Sequence, residues 1–335
     1  MAIIIVLWFA GLATSAPLSV EAATNDFNGD GKSDIFWRHS LNGNNRFWLM
    51  NGDKILGDPA ILTVPNISEK VVGVGDFNGD GKYDVLWRNT RLGKNYLWLM
   101  NSSNIIAKLP LPDVNDLNWK VAGIGDFNGD RRSDIFWRHS TNGNHRLWLM
   151  NGAKIIGDPV LPALSILSWK VAGIGDFNGD RKSDILWRNE NLGKNFLWLM
   201  DASKIVARLS LPDVNDINWK VAGIGDFNGD KKSDIFWRHS TNGNHRFWLM
   251  SRANIIGDPV FKTVPVLSWK VASIGDFNGD GKSDIFWRNI NFGKNQLWLM
   301  NASNIISDTS LPDANDINWQ IVGSDTNYIN QSDVP

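Results

Sequence analysis

Six times along the chain, three aspartates and an asparagine fall within a loop of nine residues. In DFNGDGKSD the side-chain oxygen donors are Asp26, Asn28, Asp30 and Asp34, and Lys32 can offer only its backbone carbonyl. The set returns every fifty residues: Asp76, Asn78, Asp80, Lys82 and Asp84; Asp126, Asn128, Asp130, Arg132 and Asp134; Asp176, Asn178, Asp180, Lys182 and Asp184. It returns again at Asp226, Asn228, Asp230, Lys232 and Asp234, and at Asp276, Asn278, Asp280, Lys282 and Asp284. Alternating donors let a short loop wrap one hard cation, and Ca²⁺ takes six to eight oxygens at about 2.3–2.6 Å. One such loop could equally be Asp and Asn capping a turn. Six copies that each keep all four donors favour Ca²⁺, up to six ions, one per loop. An EF-hand is excluded, because no Glu stands at position twelve and the residues that follow, IFWR, read as a strand. Position six is Gly31, Gly81 and Gly281 in three copies but Arg131, Arg181 and Lys231 in the others, so those loops are expected to bind more weakly.

The elements that hold these loops are short strands. In residues 119–168 four runs stand out: Trp119 to Ile124, Asp134 to His139, His145 to Met150, and Lys154 to Ile156, the last leading into a Pro-containing connector. No helical period is sustained, and Asn-Gly and Gly-Asp turns punctuate the runs. Four strands per unit of 40 to 50 residues is the pattern of a β-propeller blade. The small residues of Val121-Ala122-Gly123-Ile124-Gly125 suit the innermost strand, where blades converge. The expectation is an all-β propeller of six four-stranded blades over residues 23–324. The segment from Asn318 to Gly323 supplies the inner strand that the first repeat lacks, closing the ring. Seven blades would require Ser324 to Pro335 to do more than their length permits.

A second period of about one hundred residues lies inside the first. Odd repeats carry WRHS(L/T)NGN and then GDP, and even repeats carry LGKN and then LPD(V/A)ND. The variation concentrates in the hairpin between strands two and three and in the connector to the next blade, both on the face opposite the acidic loops. A constant scaffold with one varied face points to ligand binding on that face. Its candidates are His139, His145, Arg146, His239, His245 and Arg246 from odd blades. Even blades add Lys94, Lys194, Lys294, Asp213 and Asn215. Trp119, Trp219 and Trp319 beside them could stack on a sugar ring, although recurring Trp also fills space between blades. His139 and His145 facing each other as zinc ligands is a weaker alternative, because Asn45 takes the second position in the first repeat.

The run Val121-Ala122-Gly123-Ile124-Gly125-Asp126-Phe127-Asn128-Gly129-Asp130, with its five counterparts, resembles the FG-GAP/VCBS repeat family. These are Ca²⁺-binding propellers found also in integrin α-chains and in some fungal and bacterial lectins. The resemblance covers nearly all of residues 24–324 and implies a propeller fold, Ca²⁺ and an extracellular location, but no single activity. The Phe-Gly…Gly-Ala-Pro signature of the integrin branch is missing, so integrin-type adhesion is not carried over.

Composition narrows the function classes. Formal net charge is −1 and there are no basic runs, so nothing argues for nucleic acid or acidic membrane as a partner. No cysteine is present, which removes disulfides and thiol chemistry. The glutamates are Glu21, Glu69 and Glu190 alone, so the acid content is Asp in Gly- and Asn-rich turns. The apolar run from Ile3 to about Ala13 has the length of a signal-peptide core, giving a leader at 1–22, secretion, and a short tail at 325–335. No repeating nucleophile–His–acid set or phosphate-cradling loop is present, so an enzyme is not expected. The reading is a secreted, Ca²⁺-stabilised module for multivalent carbohydrate recognition. The alternatives are a protein-binding adhesion or scaffold module and a propeller-type polysaccharide lyase or hydrolase.

Overall fold

The computed structural model describes residues 24–323, and the leader and tail expected at 1–22 and 325–335 lie outside them. The described chain forms six antiparallel sheets of four or five strands each, one per repeat. Each sheet is a blade whose strands run from the axis outward in chain order, as in Trp119–Gly125, Asp134–His139, His145–Asn151 and Lys154–Gly157. The ring closes as expected. Trp319–Ile321 pairs antiparallel with Ile35–His39 of the first blade, Trp37 opposite Ile321 and His39 opposite Trp319. The strand nearest the axis in blade one therefore comes from the other end of the chain, which covers an edge that would otherwise be exposed.

Small residues are required at the axis. A Cβ on Gly123 would stand 2.0 Å from Ile174 Cδ1 of the next blade, and one on Gly125 2.4 Å from Ser183 Oγ. Farther out the space is filled by tryptophan. Trp37, Trp87, Trp137, Trp187, Trp237 and Trp287 each pack against the Trp eleven residues on, with ring centres 4.6–5.0 Å apart. All twelve rings are at most 2% exposed. Such aromatic pairs add about 0.5–1.5 kcal/mol each beyond their buried area.

The hundred-residue period is partly a property of the outermost strand, which corrects its assignment to connectors. Even blades carry one continuous outer strand, Asn104–Leu111, Lys204–Leu211 and Asn304–Leu311. Odd blades break it at Gly-Asp-Pro into pieces such as Lys154–Gly157 and Val160–Leu161. Proline has no N–H to offer the ladder and is tolerated because this strand is an edge.

Candidate functional sites: the acidic loops and the odd-blade clefts

In the first acidic loop Asp26 organises the turn. Its Oδ1 accepts the amides of Gly29 at 2.6 Å and Asp30 at 3.2 Å, and its Oδ2 accepts that of Gly31 at 2.8 Å. Asn28 Oδ1 accepts from Asp30 N and Asp30 Oδ1 from Lys32 N. Asp34 sits deeper: Oδ2 accepts from Phe27 N at 3.1 Å and Oδ1 from Met50 N at 2.9 Å, tying the loop to strand three. Burial pushes the Asp34 carboxyl up to about 7, with the charges of Asp26 and Asp30 adding and the two amides opposing. Asp84, Asp134, Asp184 and Asp234 are raised likewise to about 7, and Asp284 to about 8.

These loops also fasten one blade to the next, a role not apparent in the repeat motif. The amide after position seven donates to the first Asp carbonyl of the preceding loop: Tyr83 to Asp26, Ser133 to Asp76, Ser183 to Asp126, Ser233 to Asp176, Ser283 to Asp226 and Ser33 to Asp276. The side chain at position seven leans the same way, Lys82 over Gly29 and Arg132 over Gly79. Among the described residues no group of three or more His, Cys, Asp or Glu converges as a metal site. The donor set itself is all hard oxygen, three carboxylates and an amide per loop, and that chemistry fits Ca²⁺.

On the opposite face the candidate residues separate into two layers. His145 and His245 are fully buried. The Nδ1–H of His145 donates to Pro162 O at 2.8 Å, and its Nε2 faces Arg138 Nη1. Asn45 makes the equivalent bonds in blade one, to Leu62 O and Arg38. Both histidines are thus core residues standing in for an asparagine, which corrects their assignment to a ligand surface and removes the zinc pairing of His139 with His145. His139 and His239 are also nearly buried. Their Nε2 atoms lie 2.9 Å from Asp116 and Asp216, and that of His39 lies 2.8 Å from Asp316. These aspartates, in the connector entering each odd blade, were missed in the sequence. The signal was present: His marks odd repeats, an Asp stands 23 residues before His139 and before His239, and Asp316 takes the matching place in the segment that closes blade one.

The outer layer is accessible. Arg146 Nε donates to Asp158 Oδ1 at 2.9 Å, and its guanidinium carbon lies 5.7 Å from the ring centre of Trp119. With Asn144 and Val160 these side chains line a cleft of about 260 Å³. Blade five repeats the arrangement with Arg246, Asp258 and Trp219, and blade one with Arg46, Asp58 and Trp319. Val160 and Val260 are 82% and 89% exposed at the rim. Asp58, Asp158 and Asp258 supply the Gly-Asp-Pro breaks, so the interruption of the outer strand also sets the acid beside the arginine. Lys94, Lys194 and Lys294 are exposed at even-blade hairpin tips, and Asp213 and Asn215 are exposed on a connector. Even blades do not reproduce the triad: Tyr96, Phe196 and Gln296 occupy the arginine position.

Comparison with known proteins agrees with this architecture. The FG-GAP-like repeat model matches at residues 26–87, 76–137, 126–187 and 176–237. The chain belongs to the FG-GAP-like repeat family. None of the curated proteins compared with it matches. Among solved structures, a chain of a nidogen/laminin complex is 13% identical, with a TM-score of 0.55 over 83% of this chain and 93% of that one. Virginiamycin B lyase from Staphylococcus aureus is 14% identical over 76% of this chain and 74% of that one, TM-score 0.48. The β-propeller domain of Cps50 (Swd1) from Myceliophteria thermophila is 9% identical over 86% and 85%, TM-score 0.47. At 13% identity the likeness to the nidogen/laminin chain concerns the fold alone.

Proposed function

We propose that this FG-GAP-like propeller is a secreted, multivalent glycan-binding protein whose ligand sites are the three odd-blade clefts. The observation that carries the reading is the recurrence of one constellation, an accessible Trp, an Arg–Asp pair and an Asn, on blades one, three and five only. Sugar hydroxyls donate and accept at once, and a paired guanidinium and carboxylate offer both partners within a few ångströms. The Trp ring and the exposed Val160 or Val260, replaced by Ala60 in blade one, supply the apolar floor and rim on which a pyranose face can rest. Because each arginine is already neutralised by its aspartate, a neutral sugar suits the cleft better than an acidic one. Three sites on one rigid face convert weak single contacts into avidity.

In each acidic loop Asp26, Asn28, Asp30, the Lys32 carbonyl and Asp34, or their counterparts, would hold Ca²⁺. The ion would neutralise three crowded carboxylates and strengthen the joint between neighbouring blades. This is a structural role, remote from the clefts.

A glycan array probed with the wild-type chain and with Trp219→Ala tests the reading. Binding to a defined set of neutral glycans, weakened in the folded variant, is expected. Silence on every glycan, with capture of a cell-surface protein instead, would favour a protein-binding module.

A further inference from the structure

A sheet edge with unpaired N–H and C=O groups is a template for another strand, and proteins usually blunt it. The outer strand of this ring is blunted in five blades. Odd blades break it at Pro59, Pro159 and Pro259, and in blade two it carries Pro110. In blade six Asp308 accepts from Lys262 Nζ of the connector out of blade five, and Thr309 Oγ1 donates to Asp53 Oδ2 of blade one. Blade four differs. Its outer strand, Lys204–Leu211, has no proline, and a cation, Arg208, stands where blade six has Asp308.

The direction of its free backbone groups follows from register. In blade three Leu147 N donates to Pro159 O, and blade four aligns Leu197 with Leu209 at the same place. Leu209 therefore bonds inward. Ladder groups alternate along an antiparallel strand, so the N–H and C=O of Arg208 and Ser210 point out of the sheet. Pro110 agrees with this: it faces Tyr96 as Ser210 faces Phe196, at a position where a missing N–H costs the ladder nothing. A bulge at Val206 limits the straight, pairable stretch to residues 207–211.

Side chains set the chemistry of an added strand. Ala207 and Leu209 pack into the core shared with blade five, while Lys204, Val206, Arg208 and Ser210 are exposed. Val206 is 56% exposed between the two cations. Asp201, across from Lys204, is taken by Lys182 Nζ at 2.6 Å, and Arg208 lies over the Trp198 ring of its own blade at 5.3 Å. Among the described residues neither Lys204 nor Arg208 forms an ion pair within 4.0 Å. Opposite charges across a strand pair stabilise it and like charges oppose it. A second copy pairing edge to edge would set this basic strand against itself, so charge favours an acidic partner.

We propose that the outer edge of blade four is a docking strand for an extended acidic peptide segment of another protein, with carboxylates on either side of an apolar residue. Main-chain bonds to Arg208 and Ser210 would add it to the sheet, and the two cations would select it. This surface is separate from the glycan clefts and does not rest on them.

The test is fluorescence anisotropy of the full chain with the labelled, blocked peptide Glu-Thr-Val-Thr-Glu-Thr-Val, beside the same peptide with Lys for each Glu. Saturable binding of the acidic peptide is expected, about tenfold or more tighter than that of the basic one. Ser210→Pro, which copies Pro110 of blade two, should weaken it about tenfold or more. Arg208→Asp, which copies Asp308 of blade six, should act in the same direction, so that one folded variant suffices. Ser310→Pro in blade six should leave the affinity unchanged. No saturable binding, or binding undiminished in the folded edge variants, would overturn the proposal. Self-association seen by sedimentation and lost in Ser210→Pro, without peptide binding, would assign the edge to a second copy and overturn it equally.

Discussion

The guanidinium carbon of Arg288 in the sixth blade lies 4.8 Å from the ring centre of Trp37 in the first, the last of six such contacts around the ring. Arg38 stands over Trp87, Arg88 over Trp137, Arg138 over Trp187, Arg188 over Trp237 and Arg238 over Trp287, each at 4.8–5.1 Å. The Trp-Arg dipeptide of each repeat thus links every blade to the next. Arg188 is nearly buried and donates to Gly193 O, Asn195 Oδ1, Val214 O and Trp219 O. Arg188→Ala removes a cation–π contact and leaves buried acceptors unpaired, so it should destabilise the chain by about 3 kcal/mol. Urea unfolding measures this, and a loss below about 0.5 kcal/mol, the scale of an ordinary surface substitution, would contradict the fastening role.

Gly143 marks the hairpin that docks on the connector. It has φ +69°, and a Cβ there would stand 1.9 Å from the Leu164 carbonyl oxygen, a backbone atom with no freedom to retreat. Gly143→Ala should therefore cost about 2 kcal/mol or more. Gly152, at φ +57° with open space around it, should lose less on the same change. Parallel melts of the two variants test the order.

The buried histidines give the fold a sign in pH. Burial lowers the pKa of His145 to about 4 and that of His245 to about 3, from the ordinary imidazole value of about 6.5. The folded state holds both rings neutral, so their contribution is complete above the unfolded pKa near 6.5 and is lost as pH falls toward 4. At pH 5 the loss is about 2 kcal/mol for each histidine. Replacing both by Asn, the residue of blades one, two, four and six, should remove that part of the slope. Unfolding free energies of wild type and double variant at pH 7 and pH 5 provide the comparison, and equal slopes would refute it.

Much of this was legible in the chain because it depends on local pattern. The fifty-residue period gave the blades, the Gly-rich run gave the inner strand, and the unmatched Trp319-Gln320-Ile321 gave the closure. What was hidden depends on groups brought together from a distance. Nothing in the Trp-Arg dipeptide marks Arg38 as buried, because the carbonyls of Val64 and Glu69 that enclose it lie 26 and 31 residues away. His145 reads as a surface ligand until Pro162 O and Arg138 take its two nitrogens. Asp158 reads as a turn residue, and only the break in the outer strand brings it to Arg146.

Calcium removal tests the acidic loops as fasteners. If each loop binds with Kd on the order of 10⁻⁴–10⁻³ M, millimolar Ca²⁺ contributes roughly 0.4–1.4 kcal/mol per site. Excess EGTA should lower Tm, and Ca²⁺ but not Mg²⁺ should restore it. A melting curve indifferent to EGTA would remove the metal from the account and leave the backbone bonds between loops as the whole fastening.

The odd-blade clefts are the central claim, and their number is measurable. Titration calorimetry with a monovalent sugar taken from the array should give three sites per chain, one for each Trp–Arg–Asp constellation at Trp119, Trp219 and Trp319. Trp119→Ala should reduce the stoichiometry to two while leaving the affinity of the remaining sites unchanged. Absence of binding, or a stoichiometry untouched when all three tryptophans are replaced in a folded variant, would contradict it.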